Sequence, residues 1–574
     1  MEKTKKCLRA TLLFLLLAVL ALPVTPAFAG RDEITLTVDG VKLNPDLPPV
    51  VQNDRVLAPV RCLAAALQAQ VSWDPATASV TVVKGHKTIV MSADSQKIYE
   101  NGEQIFVGVP PRIIQGRFFV PVSAIVSTLD ADFEWNGKTR TVTITTPLPP
   151  PVPERVSQSP FPALVAFTNA GCLWILDGSR TGAAPGQVTR EGRAEILGWS
   201  PDGQWLAWLQ KAEEDEFSAK PYLWTVRADG TGSFQVDPRP VLGTPAWSPV
   251  TNALAYSTTG PGGGYAPDGN LKIATMENGR AAVSALLPDN TGVIDDFVWA
   301  PDGRSLVISL PRSHEQPLLI DRITLEGKRS NLHTLEKAEG SEMMYTHSAT
   351  GFKWSPDGRY LAYHLNMNSA SLSADGVGIR VLDLQRPEQP LDLGVGLGYA
   401  QWLAWSPDSS RLAFIRGEGR EATTNKHLYL ADMREGGKIT DCGQAGQADT
   451  QPLWTEAQPY TLLFCRAAEN EWGGGKQSGV LVPGQRIWLR TAGGETRALT
   501  TGAADTADYA PLLSPDGKGL FFLRLNRYDR GSLHCLPMDS ADSGGEVELI
   551  RGLNGGPGYY GNYYPEWLKI YWKN

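Results

Sequence analysis

The chain has 574 residues, 42% of them hydrophobic and 20% charged, with seventeen tryptophans and a formal net charge of −8 at pH 7. That apolar content is enough for a large packed core, and the acidic balance excludes an electrostatic case for nucleic-acid binding. Seven histidines and six cysteines are scattered without Cys-x-x-Cys spacing, which argues against a zinc site of that kind and against a disulfide framework.

Residues 1–29 combine a basic end (Lys3, Lys5, Lys6, Arg9), an apolar run over 12–22 and Ala27-Phe28-Ala29. This predicts a secretory signal peptide, because the run is shorter than the about 20 apolar residues that span a bilayer. The expected location is secreted or cell-wall associated, with no membrane span after cleavage. Cys62, Cys172, Cys442, Cys465 and Cys535 remain as expected strand thiols, with a Cys442–Cys465 bridge as the alternative.

Residues 30–146 contain a segment that aligns with itself at an offset of 62: Gly40 with Gly102, Pro48-Pro49 with Pro110-Pro111, Arg55 with Arg117, Trp73 with Trp135. Each half reads as a hairpin, a short amphipathic helix (60–67 and 122–129) and a hairpin entered at the tryptophan. With Pro59-Val60-Arg61 and Val71-Ser72-Trp73-Asp74, the segment resembles the copper amine oxidase N-terminal-like stalk domain. In the second half Ser123 and Asn136 depart from that pattern. The oxidase chemistry itself needs a Thr-x-x-Asn-Tyr-Asp/Glu setting and three histidines, and this module has only His86, so no copper and no other cofactor is expected. Residues 147–159 open with Pro147-Leu148-Pro149-Pro150-Pro151 and predict an extended spacer between domains.

From residue 160 onward one pattern recurs. Trp354-Ser355-Pro356-Asp357-Gly358 followed by Leu361-Ala362-Tyr363 reads as strand, tight turn, strand. Copies start at Trp199, Trp247, Trp299, Trp405, Trp454 and Leu513, with Trp567 heading a truncated last copy; successive starts lie 48, 52, 55, 51, 49, 59 and 54 residues apart. A third apolar strand follows in most copies. A four-stranded unit of this period is the signature of a propeller blade, so the predicted fold is mainly β, a propeller of eight blades with seven as the alternative. The segment around Cys172 completes the last blade and closes the ring. These repeats resemble the TolB-like, WD40-like propeller family over about residues 160–574.

That resemblance implies that the loops entering the tryptophan strands border the channel mouth. They carry Asp295, Asp296, Tyr345, His347, Tyr399, Asp508 and Tyr509, an acidic and aromatic set suited to a peptide or sugar. The chain lacks Gly-x-Ser-x-Gly and a phosphate-binding glycine loop, and Gly473-Gly474-Gly475-Lys476 reads as a flexible insertion. The Ser-Pro-Asp-Gly aspartates read as turn chemistry, not calcium ligands. The expectation is a monomeric, non-catalytic platform for an envelope protein or cell-wall glycan. The alternative is a metal-dependent polysaccharide lyase or hydrolase in the channel, drawing on His314, His333, His347, His364 and His427; oligogalacturonate lyases resemble this propeller family and use histidines there.

Overall fold

Strand Thr35–Val38 alternates half-buried and buried residues, the pattern of a strand with one face on a core. It opens the first of two compact units, residues 1–147 and 148–574, in the computed structural model. The structure describes residues 34–574 except 68, 85–86, 101–102, 130, 147–151, 212–219, 261–269, 278, 290–292, 341, 457, 471–479, 481, 540–544, 556–565 and 574. The expected signal peptide and the glycine-rich insertion lie outside the described residues.

The two halves of the first unit do not fold separately. Thr35–Val38 pairs in parallel with Thr141–Thr145, and Arg55–Pro59 pairs antiparallel with Arg117–Pro121. Helices α1 (Val60–Ala66) and α2 (Val122–Thr128) each begin after a proline, whose φ of −59° suits helix entry. Their buried faces, Val60, Leu63 and Ala64 in α1 and Val122, Ile125 and Val126 in α2, join one core drawn from both halves. The duplication is a sequence fact; the core is shared.

In the second unit the described residues form eight antiparallel sheets, seven of four strands and one of five. We number them by their innermost strands: sheet one, Leu568–Trp572; two, Arg193–Trp199; three, Val241–Trp247; four, Asp296–Trp299; five, Thr346–Trp354; six, Leu403–Trp405; seven, Gln447–Trp454; eight, Ala507–Leu513. Eight hydrophobic clusters each join residues of neighbouring sheets, including sheets eight and one, so the ring closes and no sheet face is left open. The final strand pairs with Ala163–Asn169 over five residues, from Leu568 opposite Phe167 to Trp572 opposite Ala163, and so does more than cover an edge.

Register corrects the last copy. Trp199, Trp247 and Trp354 lie opposite Leu206, Leu254 and Leu361. On the closing strand that place, opposite Val165, belongs to Ile570, not Trp567. The indole of each following tryptophan confirms the equivalence. Trp247 donates to Gly198 O (2.9 Å), Trp299 to Ala246 O (2.9 Å), Trp405 to Lys353 O (3.1 Å), Trp454 to Ala404 O (3.0 Å) and Trp199 to Lys569 O (3.1 Å), always one residue before the repeat position. Trp354 is the exception, its buried Nε1 meeting no acceptor. Trp299, Trp405 and Trp454 are buried, whereas Trp199, Trp247 and Trp354 are half-buried.

The predicted spacer is only partly a spacer. Glu154–Arg155 adds as a fifth strand beside Val547–Asn554. Arg155 is buried and donates to the carbonyls of Ser157 (2.8 Å), Arg180 (2.5 Å), Ser159 (2.9 Å) and Gly178 (3.2 Å), which ties the segment into the second unit. Cys442 and Cys465 are separate buried thiols, so the alternative bridge is absent.

Candidate functional site

The repeated turn uses its own polar groups. Asp357 Oδ1 accepts from Ser355 Oγ (2.6 Å) and from Arg359 N (3.0 Å), and Ser355 Oγ accepts Tyr360 N (2.9 Å). Ser200/Asp202, Ser406/Asp408 and Ser514/Asp516 repeat the Ser-to-Asp bond at 2.6–2.7 Å. Gly358 sits at φ +69°, and Ser409 takes that left-handed place at φ +59°. These aspartates brace turns.

Four of the seven predicted site residues gather where sheets four and five meet. His347 Nδ1 lies 2.9 Å from Arg312 O; a carbonyl can only accept, so this nitrogen carries the proton. The Tyr345 ring is flanked by His314 (5.1 Å), His347 (6.3 Å) and the Arg312 guanidinium (5.8 Å). Burial pushes the Asp295 carboxyl up to about 6, with His347 acting to lower it and Asp296 to raise it. Asp296 serves the packing of the two sheets, since its Oδ2 accepts Gly351 N (2.6 Å) from the next sheet while its Oδ1 accepts Phe297 N (2.8 Å). Burial lifts it above the usual carboxylate range even so.

Next to Tyr345 the chain displays Met343, 85% exposed, and Met344, 57% exposed. Asn368 pins their backbone: its Nδ2 donates to Met343 O (3.0 Å), its Oδ1 accepts Tyr345 N (3.1 Å) and its N–H donates to Tyr345 O (2.9 Å). Nothing in the sequence pattern singled out these methionines, because exposure of a loop side chain is a tertiary property.

The other three predicted residues lie elsewhere. Tyr399 packs edge-on against the buried Trp402 at 4.9 Å, within the cluster between sheets six and seven. Asp508 and Tyr509 are not rim residues: they belong to strand Ala507–Leu513 and are 0% and 1% exposed. Register places Asp508 opposite Arg524, which holds both its oxygens at 2.7 and 2.9 Å. Asp449 and Arg466 repeat this pair one sheet earlier. The acidic-aromatic reading fails there because a buried carboxylate is satisfied by a facing guanidinium instead of solvent.

Of the candidate histidines, His314 and His347 flank Tyr345 and the other three lie elsewhere. His333 Nδ1 meets Pro387 O (2.9 Å), His364 is fully buried, and His427 packs on Gly443. Among the described residues no three His, Cys, Asp or Glu side chains converge as a metal ion would require.

The first unit has a cleft of about 290 Å³ that sequence reading missed, lined by Asp46, Arg61, Trp73, Ile113, Arg117 and Phe118 among others. Trp73, 39% exposed, lies 5.7 Å from Phe118, and Arg117 forms an ion pair with Asp46. Trp135, its counterpart in the duplication, instead packs against the core. The asymmetry between equivalent tryptophans was the available signal, but it appears only once the halves are folded together.

Comparison with known proteins finds similarity over parts of the chain. The uncharacterized peptidase YuxL of Bacillus subtilis (strain 168) is 24% identical over 255 residues, 44% of this chain and 31% of that relative, so the chain spans less than a third of its length. Similar solved structures include dihydro-heme d1 dehydrogenase NirN (TM-score 0.43, 16% identity, 75% of this chain and 80% of that one). They also include TolB from Acinetobacter baumannii (TM-score 0.28, 14% identity, 64% and 83%). Residues 37–144 match the family model described as the Copper amine oxidase N-terminal domain, and the first unit is therefore a domain of that family.

Proposed function

We propose that the second unit is a non-catalytic platform for a protein partner at the cell envelope, carried on the first domain of an exported, monomeric chain. The observation that carries this reading is the Met343-Met344 pair. Two adjacent methionines stand exposed on a backbone held by three hydrogen bonds to Asn368, with an aromatic and cationic cluster alongside. Exposed apolar side chains on a fixed loop suit protein recognition, since methionine adapts readily to a partner's surface. No helix among the described residues is long and apolar enough to cross a membrane.

A glycan is the second reading, favoured by Trp73 in its cleft beside Arg61 and Arg117. An aromatic face bordered by hydrogen-bond donors suits a sugar ring. A metal-dependent lyase or hydrolase would need convergent metal ligands, and among the described residues no three His, Cys, Asp or Glu side chains converge.

The test is capture from envelope fractions by the full chain, compared with an M343S/M344S variant of equal thermal stability. We expect a reproducible protein partner that the variant loses. Equal capture by both, or turnover of a polysaccharide or peptide by the purified chain, would remove this reading.

A further inference from the structure

The eight positions one residue before each repeat position form a girdle around the ring. Their equivalence is shown twice, by strand register and by the indole bonds that five of their carbonyls accept. Six of them are neutral: Gly198, Ala246, Val298, Ala404, Leu453 and Leu512. The other two are Lys353 in sheet five and Lys569 in sheet one, four sheets apart in a ring of eight and so on opposite sides of it. None is acidic.

Seven of the eight residues are half-buried, and Lys353 is exposed. They stand on innermost strands, which have no further strand on their inner side; Ala246, Val298, Ala404, Leu453 and Leu512 also pack against the clusters between sheets, so it is Lys353 that stands most open beside the middle of the ring. Among the described residues no carboxylate forms an ion pair with either lysine, and the one charge that bears on Lys353 is Lys569. Crowding by protein atoms comes first and the Lys569 charge second in pushing the Lys353 ammonium below its ordinary range. A side chain that is open to water and yet crowded on most sides is one projecting into a narrow passage.

We propose that Lys353 and Lys569 form a binding site for an oxyanion, a carboxylate or a phosphate, within the central passage. Two ammoniums on opposite sides of one passage repel, and water confined there screens them less than bulk solvent does. An anion placed between them turns that repulsion into two attractions and needs no rearrangement of the ring. The apolar remainder of the girdle favours an anion with apolar flanks, such as the carboxylate end of an extended chain. This site is independent of the methionine loop and of the identity of any envelope partner.

The experiment is titration of the full chain with inorganic phosphate at constant ionic strength, followed by calorimetry and tryptophan fluorescence. K353Q, K569Q and the double variant are run in parallel. Both side chains can be replaced without touching the carbonyls that accept the indoles, so folding is expected to survive, and an unchanged melting temperature checks this. We expect saturable binding that weakens about tenfold in each single variant and disappears in the double variant. Acetyl-Leu-Leu with a free carboxylate is then used as competitor against its amide. Competition by the acid alone assigns the site to a chain terminus, and no competition by either assigns it to a free oxyanion. Absence of binding of both phosphate and the acid, or equal binding by the wild type and the double variant, would overturn the proposal.

Discussion

The indole Nε1 of Trp199 donates to the carbonyl of Lys569 at 3.1 Å, joining sheet two to the strand at the far end of the chain, 370 residues away. The same end of the chain places Trp567 and Leu568 in the cluster shared by sheets eight and one. Deleting residues 566–574 should therefore open the ring and cost roughly 5 kcal/mol or more, as two large buried side chains are lost together. A truncated chain that melts at the wild-type temperature would show that closure does not stabilise the ring.

Trp405 is 8% exposed and stacks on Tyr360 of the preceding sheet at 5.7 Å. Trp405→Ala should cost about 3–5 kcal/mol, and Trp199→Ala, starting from a half-buried residue, distinctly less. Urea denaturation of the two variants provides the comparison.

Asp508 is a structural residue. Its removal leaves the Arg524 guanidinium, 14% exposed, with Glu546 as its one remaining carboxylate partner among the described residues. Asp508→Ala should cost about 3–5 kcal/mol in stability. A variant with wild-type stability but weakened ligand binding would return Asp508 to the recognition surface.

His364 is wholly buried, neither ring nitrogen meets a hydrogen-bond partner, and burial pushes it down to about 4. The unfolded chain takes up a proton near pH 6.5 while the folded chain does not until near pH 4. Stability is therefore full above pH 6.5 and falls as pH drops towards 4, by about 3 kcal/mol at the end of that window. Thermal melts of the wild type and His364→Phe across this range measure the difference, which should narrow as pH rises.

Asp295 acts with the opposite sign. Its folded value, about 6, lies above that of the unfolded chain, so the cost of ionising it is absent below about pH 4 and complete above pH 6. Asp295→Asn should raise the melting temperature at pH 7–8 and leave it unchanged near pH 4. A gain at both pH values would mean that charge is not the cause.

Much of the fold was legible in the residues because its signals are local. Ser355, Pro356, Asp357 and Gly358 specify a turn by bonds within five residues, and repetition of that turn implies a ring of like sheets. The apolar strand around Leu361 was legible for the same reason, as was the duplication that aligns Trp73 with Trp135. Tertiary structure decided what depends on partners distant in sequence. Ile570 and not Trp567 takes the repeat position because pairing with Val165 sets the register. Asp508 is interior because Arg524 faces it, while His347 acts on the Asp295 charge because sheets four and five pack together. Lys353 and Lys569 look unrelated along the chain, and only closure of the ring sets them opposite one another. Local sequence determines turns and strand faces through short-range hydrogen bonds and burial; which charges meet is settled by how the sheets close.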